Sequence, residues 1–348
     1  MANADSPSRL NTATPIAVDH FTDDTNTEFD DELSDLTSLS SSVLEYEYEN
    51  GRRYCSTRAG TYMMPNDEEE QDRMDIHHIP GKMQQLTKRR WLMLLKGELY
   101  NAPIGDSPQN ILDLGTGTGI WALDIAEKFP GAHVIGNDIS PIQPTWVAPN
   151  IEFIVEDFES EWTYDTNHFD FIHARCLAGC VADWPGFMRR IFDHVKPGGY
   201  FEIHESAVWA RSDDDSLKPD SALMEWQKAL NRAGEMSGRE LNIYRKLEGW
   251  MMDAGFEDVT VKVYTLPFSP WPRDPYLKAI GRYQAVQLQQ AIDSYSLRLY
   301  TQVLGWGADA AKIHNAVVKR ELREKKLHAY VPTYKLLSMG ESHFERDS

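Results

Sequence analysis

A mostly parallel α/β sheet covered by helices on both faces is the fold this sequence predicts, and three observations predict it. From residue 110 onward, short apolar runs alternate with amphipathic stretches, the pattern of successive βαβ units. The first apolar run (Ile111, Leu112, Leu114) breaks into three alternating glycines, Gly115, Gly117 and Gly119. A helical pattern follows at once (Trp121, Ala122, Ile125, Ala126, Phe129) and ends at Pro130-Gly131. Late in the chain, roughly sixty residues of helical character intervene before a last apolar run at 328–336.

The strands follow in order. The first spans 110–114. The second, His133 to Asn137, ends at Asp138. The third runs from Ile151 to Val155 and leads into Glu156-Asp157-Phe158. The fourth covers Phe169 to Ala174, and the fifth, Tyr200 to His204, is introduced by Lys196-Pro197-Gly198-Gly199. Right-handed crossovers bring the C-terminal ends of the first four to one edge, where such sheets bind ligands. Next, Leu223, Trp226, Leu230 and Ala233 share a helical face. A helix over 239–254 stops at Gly255, and Phe256 to Tyr264 reads as a sixth strand. Pro267-Phe268-Ser269-Pro270-Trp271-Pro272 breaks regular structure. The insertion beyond it, about 267–327, is helical over 275–300 and 309–326. It reads as a cap over the site, the alternatives being an extension of the core or a dimer surface. His328 to Leu336 is expected as a last strand, antiparallel at the sheet edge.

Upstream of the sheet, residues 1–42 are rich in Asp, Ser, Thr and Asn and read as a disordered acidic tail, serving solubility or docking. Residues 43–109 are expected to form a helical lid. One helix is capped by Asn66 or Asp67, with Glu68, Glu69 and Glu70 in its first turn, and runs towards His77 and His78. A second, from Met83 to about Tyr100, places Leu92, Leu95 and Leu99 on one face. Lys88-Arg89-Arg90 is a solvated helix face or a nuclear-import signal. Residues 110–338 form the main domain and 339–348 a C-terminal tail.

Charge narrows the function. Residues 1–50 hold 12 of the 54 acids and one of the 35 bases, so this stretch carries −11 of the net −19. The folded part is mildly acidic and offers no net basic face of the kind nucleic acids require. No apolar run reaches the length of a membrane span, and no signal-peptide core is visible, so a cytoplasmic protein is expected. Cys55, Cys176 and Cys180 fit idle thiols in a reducing compartment better than a disulfide framework or a metal site.

The glycine loop carries the chemistry. Strand, glycine turn and helix let backbone approach a nucleotide-like ligand. A dinucleotide fingerprint would need glycine at position 120, which is Ile120. Asp113 stands two residues before the first glycine and suits an ammonium-bearing ligand. A tight turn without a ligand is the plain alternative. Asp138, 19 residues after Gly119, offers an acceptor-only fork for a ribose diol, or is a turn aspartate before Ser140-Pro141. Asp157-Phe158 supplies an acceptor for an adenine amino group and a ring for its face, or is a surface aspartate beside a core Phe.

The pattern Asp-x-Gly-x-Gly-x-Gly resembles motif I of the S-adenosylmethionine-dependent methyltransferases. The likeness extends further. The runs Glu49-Asn50-Gly51-Arg52-Arg53-Tyr54, Pro65-Asn66-Asp67-Glu68, Leu114 to Trp121, and Ser140-Pro141-Ile142-Gln143-Pro144 resemble the fungal LaeA-like methyltransferases. So do Phe169 to Arg175, Asp183-Trp184-Pro185, Lys196-Pro197-Gly198-Gly199, Ser269-Pro270-Trp271-Pro272 and His328-Ala329-Tyr330, in order over about residues 43–338.

The resemblance implies a class I methyltransferase, Rossmann-like fold: a mostly parallel seven-stranded sheet with an antiparallel last strand, a helical N-terminal lid and a helical insertion before the last strand. It implies S-adenosyl-L-methionine as cofactor and a place in fungal secondary metabolism. Some members are tailoring enzymes that methylate a small molecule or peptide; others are nuclear regulators that partner velvet-type proteins. The expected cofactor residues are Asp113, Gly115, Thr116, Gly117, Gly119, Asp138, Ile139, Asp157, Phe158 and Arg175, with no metal. Methyl transfer from a sulfonium needs mainly alignment, and a base only where the acceptor loses a proton. The candidates are His173, His204 and Glu205. The run Glu202-Ile203-His204-Glu205-Ser206 departs from the family's Glu-x-x-Glu pattern, which leaves the roles of His204 and Glu205 open.

Overall fold

The structure is a computed structural model that describes residues 46–55, 62–75 and 91–340. The acidic tail up to residue 45, the His77/His78 pair, the Lys88-Arg89-Arg90 trio and residues 341–348 lie outside the described residues. The elements are β1 (Tyr46–Glu49), β2 (Arg52–Cys55), α1 (Glu68–Asp75), β3 (Asn110–Leu114), α2 (Ile120–Lys128), β4 (His133–Asp138), β5 (Ile151–Val155) and β6 (Phe169–Arg175). They continue with α3 (Trp184–His194), β7 (Val195–Ser206), α4 (Ala222–Met236), α5 (Leu247–Ala254), β8 (Glu257–Pro267) and α6 (Pro275–Arg298). A π-helical turn (Leu299–Val303), α7 (Ala308–Glu321) and β9 (Tyr330–Met339) complete the chain.

Seven strands pair in the order β5-β4-β3-β6-β7-β9-β8. The pairs from β5 through β7 are parallel, and β9 runs antiparallel to both β7 and β8. The expected seven-stranded, mostly parallel sheet is therefore present, with one correction. The last strand is antiparallel but not at the edge; it slots between β7 and β8, and β8 is the edge. β9 is fit for that interior place because nearly all of it is buried, from Val331 to Leu336, whereas β8 is exposed along most of its length.

Burial follows from the apolar runs. Ile111, Leu112 and Leu114 of β3 and Phe169, Phe171 and Ile172 of β6 are wholly buried, as strands covered on both faces must be. One face packs on α2 through Trp121, Ile125, Val134 and Phe171. The other packs on α3 and α5 through Leu112, Ile172, Met188, Ile191, Leu247 and Met251. A separate apolar cluster joins α4, α6, the π-helical turn and α7 to Trp91. That cluster is the cap. Among the described residues no helix is long and apolar enough to cross a membrane.

Local signals explain the ends. Asp183 caps α3 by accepting from the Gly186 N–H, and Asp274 caps α6 by accepting from those of Tyr276 and Leu277. Gly255, at φ 110°, ends α5 where expected. That helix begins only at Leu247, eight residues later than the sequence suggests, because the chain first turns at Gly238 (φ 69°). The helix expected to reach Tyr100 ends near Leu94, since Lys96 and Gly97 are both left-handed.

The N-terminal segment is not purely helical. Residues 46–55 form the β1–β2 hairpin, turned by Asn50-Gly51 at φ 54° and 84°. Alternating Tyr46-Glu47-Tyr48-Glu49 followed by Asn-Gly is a strong hairpin signal that the helical expectation overlooked. The hairpin docks on the cap: Arg298 binds Glu47 at 2.7 Å and lies over the Tyr54 ring. Asp67 caps α1, accepting from Glu70 N–H at 3.0 Å, and also holds Arg52 at 2.6 Å.

Gly119 shows how tightly the loop is packed. It starts α2 at φ 85°, and a Cβ there would lie 2.3 Å from the Phe153 ring of β5. Gly119→Ala is expected to cost about 3 kcal/mol from combined left-handed strain and overpacking. Denaturant unfolding checks this, and pairing the change with Phe153→Ala should cost less than the separate sum.

Candidate active site

The C-terminal ends of β3, β4, β6 and β7 open into one cavity of about 340 Å³. Of the expected cofactor residues, Asp113, Gly115, Thr116, Gly117, Asp138, Ile139, Asp157, Phe158 and Arg175 all line it. Gly119 does not; it serves packing under Phe153. Three loops that are far apart in sequence thus meet at one surface because parallel strands end on one edge.

Asp138 ties β4 to the glycine loop. Its Oδ2 accepts the Gly117 N–H at 2.8 Å and its Oδ1 the Ser140 N–H at 2.9 Å. Burial pushes the carboxyl up to about 6 against the pull of these backbone donors. Each oxygen keeps a further lone pair for a ligand hydroxyl. The turn reading of Asp138 is thus seen in its contacts, and they leave lone pairs for the ligand-fork reading. Gln143, which the sequence reading did not single out, donates to the Gly117 carbonyl at 2.5 Å and braces the loop from outside.

Asp113 has a different immediate task from the one expected of it. Its Oδ1 faces His173 Nδ1 at 2.7 Å and its Oδ2 accepts from Thr116 Oγ1 at 2.6 Å. The carboxylate is acceptor-only, so the His173 proton on this side sits on Nδ1. Asp113 therefore first locks the loop and the histidine, and an ammonium group meets a carboxylate already engaged at both oxygens. The His173 ring lies flat on Trp121 with centroids 3.7 Å apart, and its Nε2 has no hydrogen-bond partner among the described residues.

His204 does not line the cavity. It is wholly buried, stacked on Trp91, with Nε2 on Glu202 Oε1 at 2.7 Å. Burial lowers it to about 4, so it is neutral at pH 7 and donates from Nε2 to Glu202. Glu202 also accepts the Asn101 N–H at 2.8 Å. These contacts give His204 a positioning role in place of the base role considered from sequence. His204 is register-paired with Arg175 on the face that carries His173, but the Trp91 ring stacks over it there, while Glu205 points to the other face.

Glu205 does line the cavity. Its Oε1 accepts the N–H groups of Leu177 at 2.5 Å and Ala178 at 3.1 Å. Burial pushes its carboxyl up to about 8, outweighing those donors and that of Ser206. Leu177 in turn covers Gly115, where a Cβ would lie 2.6 Å from Leu177 Cδ2. Glu205 is thus one residue removed from the glycine loop. Arg175 lies 5.6 Å from the Trp91 ring centroid and points into the same cavity, with no carboxylate partner among the described residues.

The remaining walls were not read from sequence. Tyr62, Met63, Met64, Arg73 and Met74 come from around α1, and the cap contributes Trp226, Leu230, Phe268, Leu288 and Leu299. The helical faces of α4 and α6 marked these residues as buried, but no local signal separates a wall from a core.

A methyltransferase domain model matches residues 77–261. Methyltransferase pytC of Aspergillus terreus is 40% identical over 298 residues, 85% of this chain and 88% of that protein. The secondary metabolism regulator LAE1 of Cochliobolus heterostrophus is 38% identical over 289 residues, covering 81% and 91%. The chain belongs to the LaeA-like methyltransferases. A further relative, protein-methionine methyltransferase laeA of Emericella nidulans, is 35% identical over 302 residues, covering 86% and 77%. Membership makes the protein a methyltransferase of the class I fold, with S-adenosylmethionine as its methyl donor. The strand order, with an antiparallel strand inserted beside the edge, is the one this class requires.

Glu205 gives this LaeA-like protein a pH signature. The folded state keeps a proton that the unfolded chain, at the ordinary 4.5, has lost, so stability falls as pH rises towards about 8. His204 acts oppositely, but only between about 4 and 6.5, and Asp138 titrates at about 6. Between pH 6.5 and 8 the wild type should lose roughly 2 kcal/mol, and Glu205→Gln should lose much less. Denaturation midpoints across that window check it.

Proposed function

We propose that the chain transfers a methyl group from S-adenosylmethionine to a small-molecule or peptide acceptor in fungal secondary metabolism. The observation that supports this reading best is the continuity of one cavity from the glycine loop to an apolar chamber under the cap. A purely regulatory fold has no need of a closed acceptor chamber. In this reading the Asp138 carboxylate receives the ribose diol, Asp157 the adenine amino group, and the Phe158 ring packs on the adenine. The Gly115 to Gly117 backbone borders the methionine end, and the Arg175 guanidinium pairs with its carboxylate. The donor supplies an electrophilic methyl on a good leaving group; the protein aligns it and excludes water. Glu205, not His204, is the group assigned to take a proton from the acceptor, since Glu205 lines the cavity and His204 does not.

The names of the LAE1 and laeA regulator relatives favour a second reading, a regulator of secondary metabolism; a nuclear site of action and velvet-type partners are what the family resemblance would add to it. A deletion strain separates the two. Accumulation of one compound lacking a single methyl supports the tailoring enzyme, and loss of many unrelated compounds supports the regulator.

The cofactor site has its own test. Calorimetric titration with S-adenosylmethionine should show one site on the wild type. Gly117→Arg should weaken it by about a hundredfold or more, because Gly117 is left-handed at φ 60° and its Cβ would face Met74 Sδ at 3.5 Å in the cavity. The circular dichroism spectrum should be retained. Unchanged affinity in the variant, or no binding to the wild type, would refute the site.

A further inference from the structure

The cap half of the cavity differs in kind from the cofactor half. Every wall residue from α4, α6, the π-helical turn and the ends of β8 and β9 is uncharged. Trp226, Leu230, Leu266, Phe268 and Leu288 make the surface, and all five are buried in the protein. The polar groups among them are the Tyr295 hydroxyl, which accepts from Arg73 at 3.3 Å, and the neutral amides of Gln227, Gln284 and Gln287, each of these three less than a tenth exposed. Gln227 Oε1 already accepts the Ala210 N–H at 2.9 Å. Two of the cations that border the cavity are taken up elsewhere, Arg73 by Glu70 at 2.5 Å and Arg239 by Glu159 at 2.8 Å, and the third, Arg175, lies at the strand ends. A charged acceptor entering here would lose its hydration, and the walls contributed by these elements offer it no counter-ion.

Glu205 lines the cavity with no cationic partner among the described residues, held by main-chain N–H groups on the wall next to Gly115. Building on the methyltransferase reading above, we infer that the chamber takes an uncharged, flat, largely apolar acceptor that presents a hydroxyl group, phenolic or enolic, to the Glu205 carboxyl. The acceptor hydroxyl gives its proton to the Glu205 carboxylate as its oxygen bonds the donated methyl carbon. The carbon–sulfur bond breaks with its electron pair left on sulfur, and the proton passes on to water. The groups around Glu205 are the thiol of Cys180 and the N–H groups of Leu177, Ala178 and Ser206. Since burial holds the carboxyl up to about 8, the reactive carboxylate gains population as pH rises to that value.

The test uses the full chain. S-adenosylhomocysteine binding is measured first by calorimetry; its absence would refute the methyltransferase reading itself. With that ligand bound, 1-naphthol, 1-naphthoate and 1-naphthylmethylammonium are titrated against tryptophan fluorescence. Naphthol is expected to bind about a hundredfold tighter than either ion, and Trp226→Ala should weaken it about tenfold. With S-adenosylmethionine, mass spectrometry should show the naphthol methyl ether. Glu205→Gln should lower its rate about a hundredfold and flatten the rise towards pH 8, with naphthol binding retained and, at pH 6.5, the melting temperature also retained. Equal binding of an ion, no naphthol binding on a chain that binds S-adenosylhomocysteine, or an unchanged rate in Glu205→Gln would each overturn the inference. Preferential methylation of a methionine-containing peptide over naphthol would overturn it too.

Discussion

A buried carboxylate governs the site. Asp113 sits at the centre of the sheet, 3% exposed, and grips Thr116 of the glycine loop with one oxygen and His173 of β6 with the other. An ion in that position is tolerable only with both oxygens satisfied, so neither partner is free to move without stranding it. The glycine loop therefore has one conformation, and its N–H groups keep their aim. His173 is fixed in turn by Trp121 of the helix that the loop starts. Loop, helix and neighbouring strand form one rigid unit around a single charge.

A second buried acid, Glu202, does the same on the next strand. It holds His204, which stacks on Trp91, and the Asn101 backbone that leads into the sheet. The N-terminal segment is thereby fastened to the floor of the cavity while its hairpin is fastened to the cap through Arg298. Sheet, N-terminal segment and cap close around one space from three sides. The apolar part of that space belongs to the cap and the polar part to the strand ends, and this division separates where an acceptor sits from where a donor sits.

Much of this was legible in the sequence because it rests on local rules. Apolar runs with full burial give strands, Asp183 and Asp274 cap helices, Gly255 stops one, and alternating glycines between strand and helix mark the loop. The hairpin was equally legible, through Asn50-Gly51 after alternating tyrosines, yet residues 43–109 as a whole were expected to form a helical lid. The place of the last strand was not legible, since nothing in the run from Tyr330 to Met339 says which two strands will flank it.

The chemistry divides along the same line. From sequence alone came the fold class, the three loops and the acidic residues that border the cavity, because each depends on spacing along the chain. Only the tertiary structure decided what each acid does. Asp113 is spent on His173 and Thr116, His204 faces away from the cavity, and Glu205 faces into it with a raised affinity for its proton. Burial and partner choice are set by which strands lie side by side, and that long-range pairing is a property no local pattern encodes.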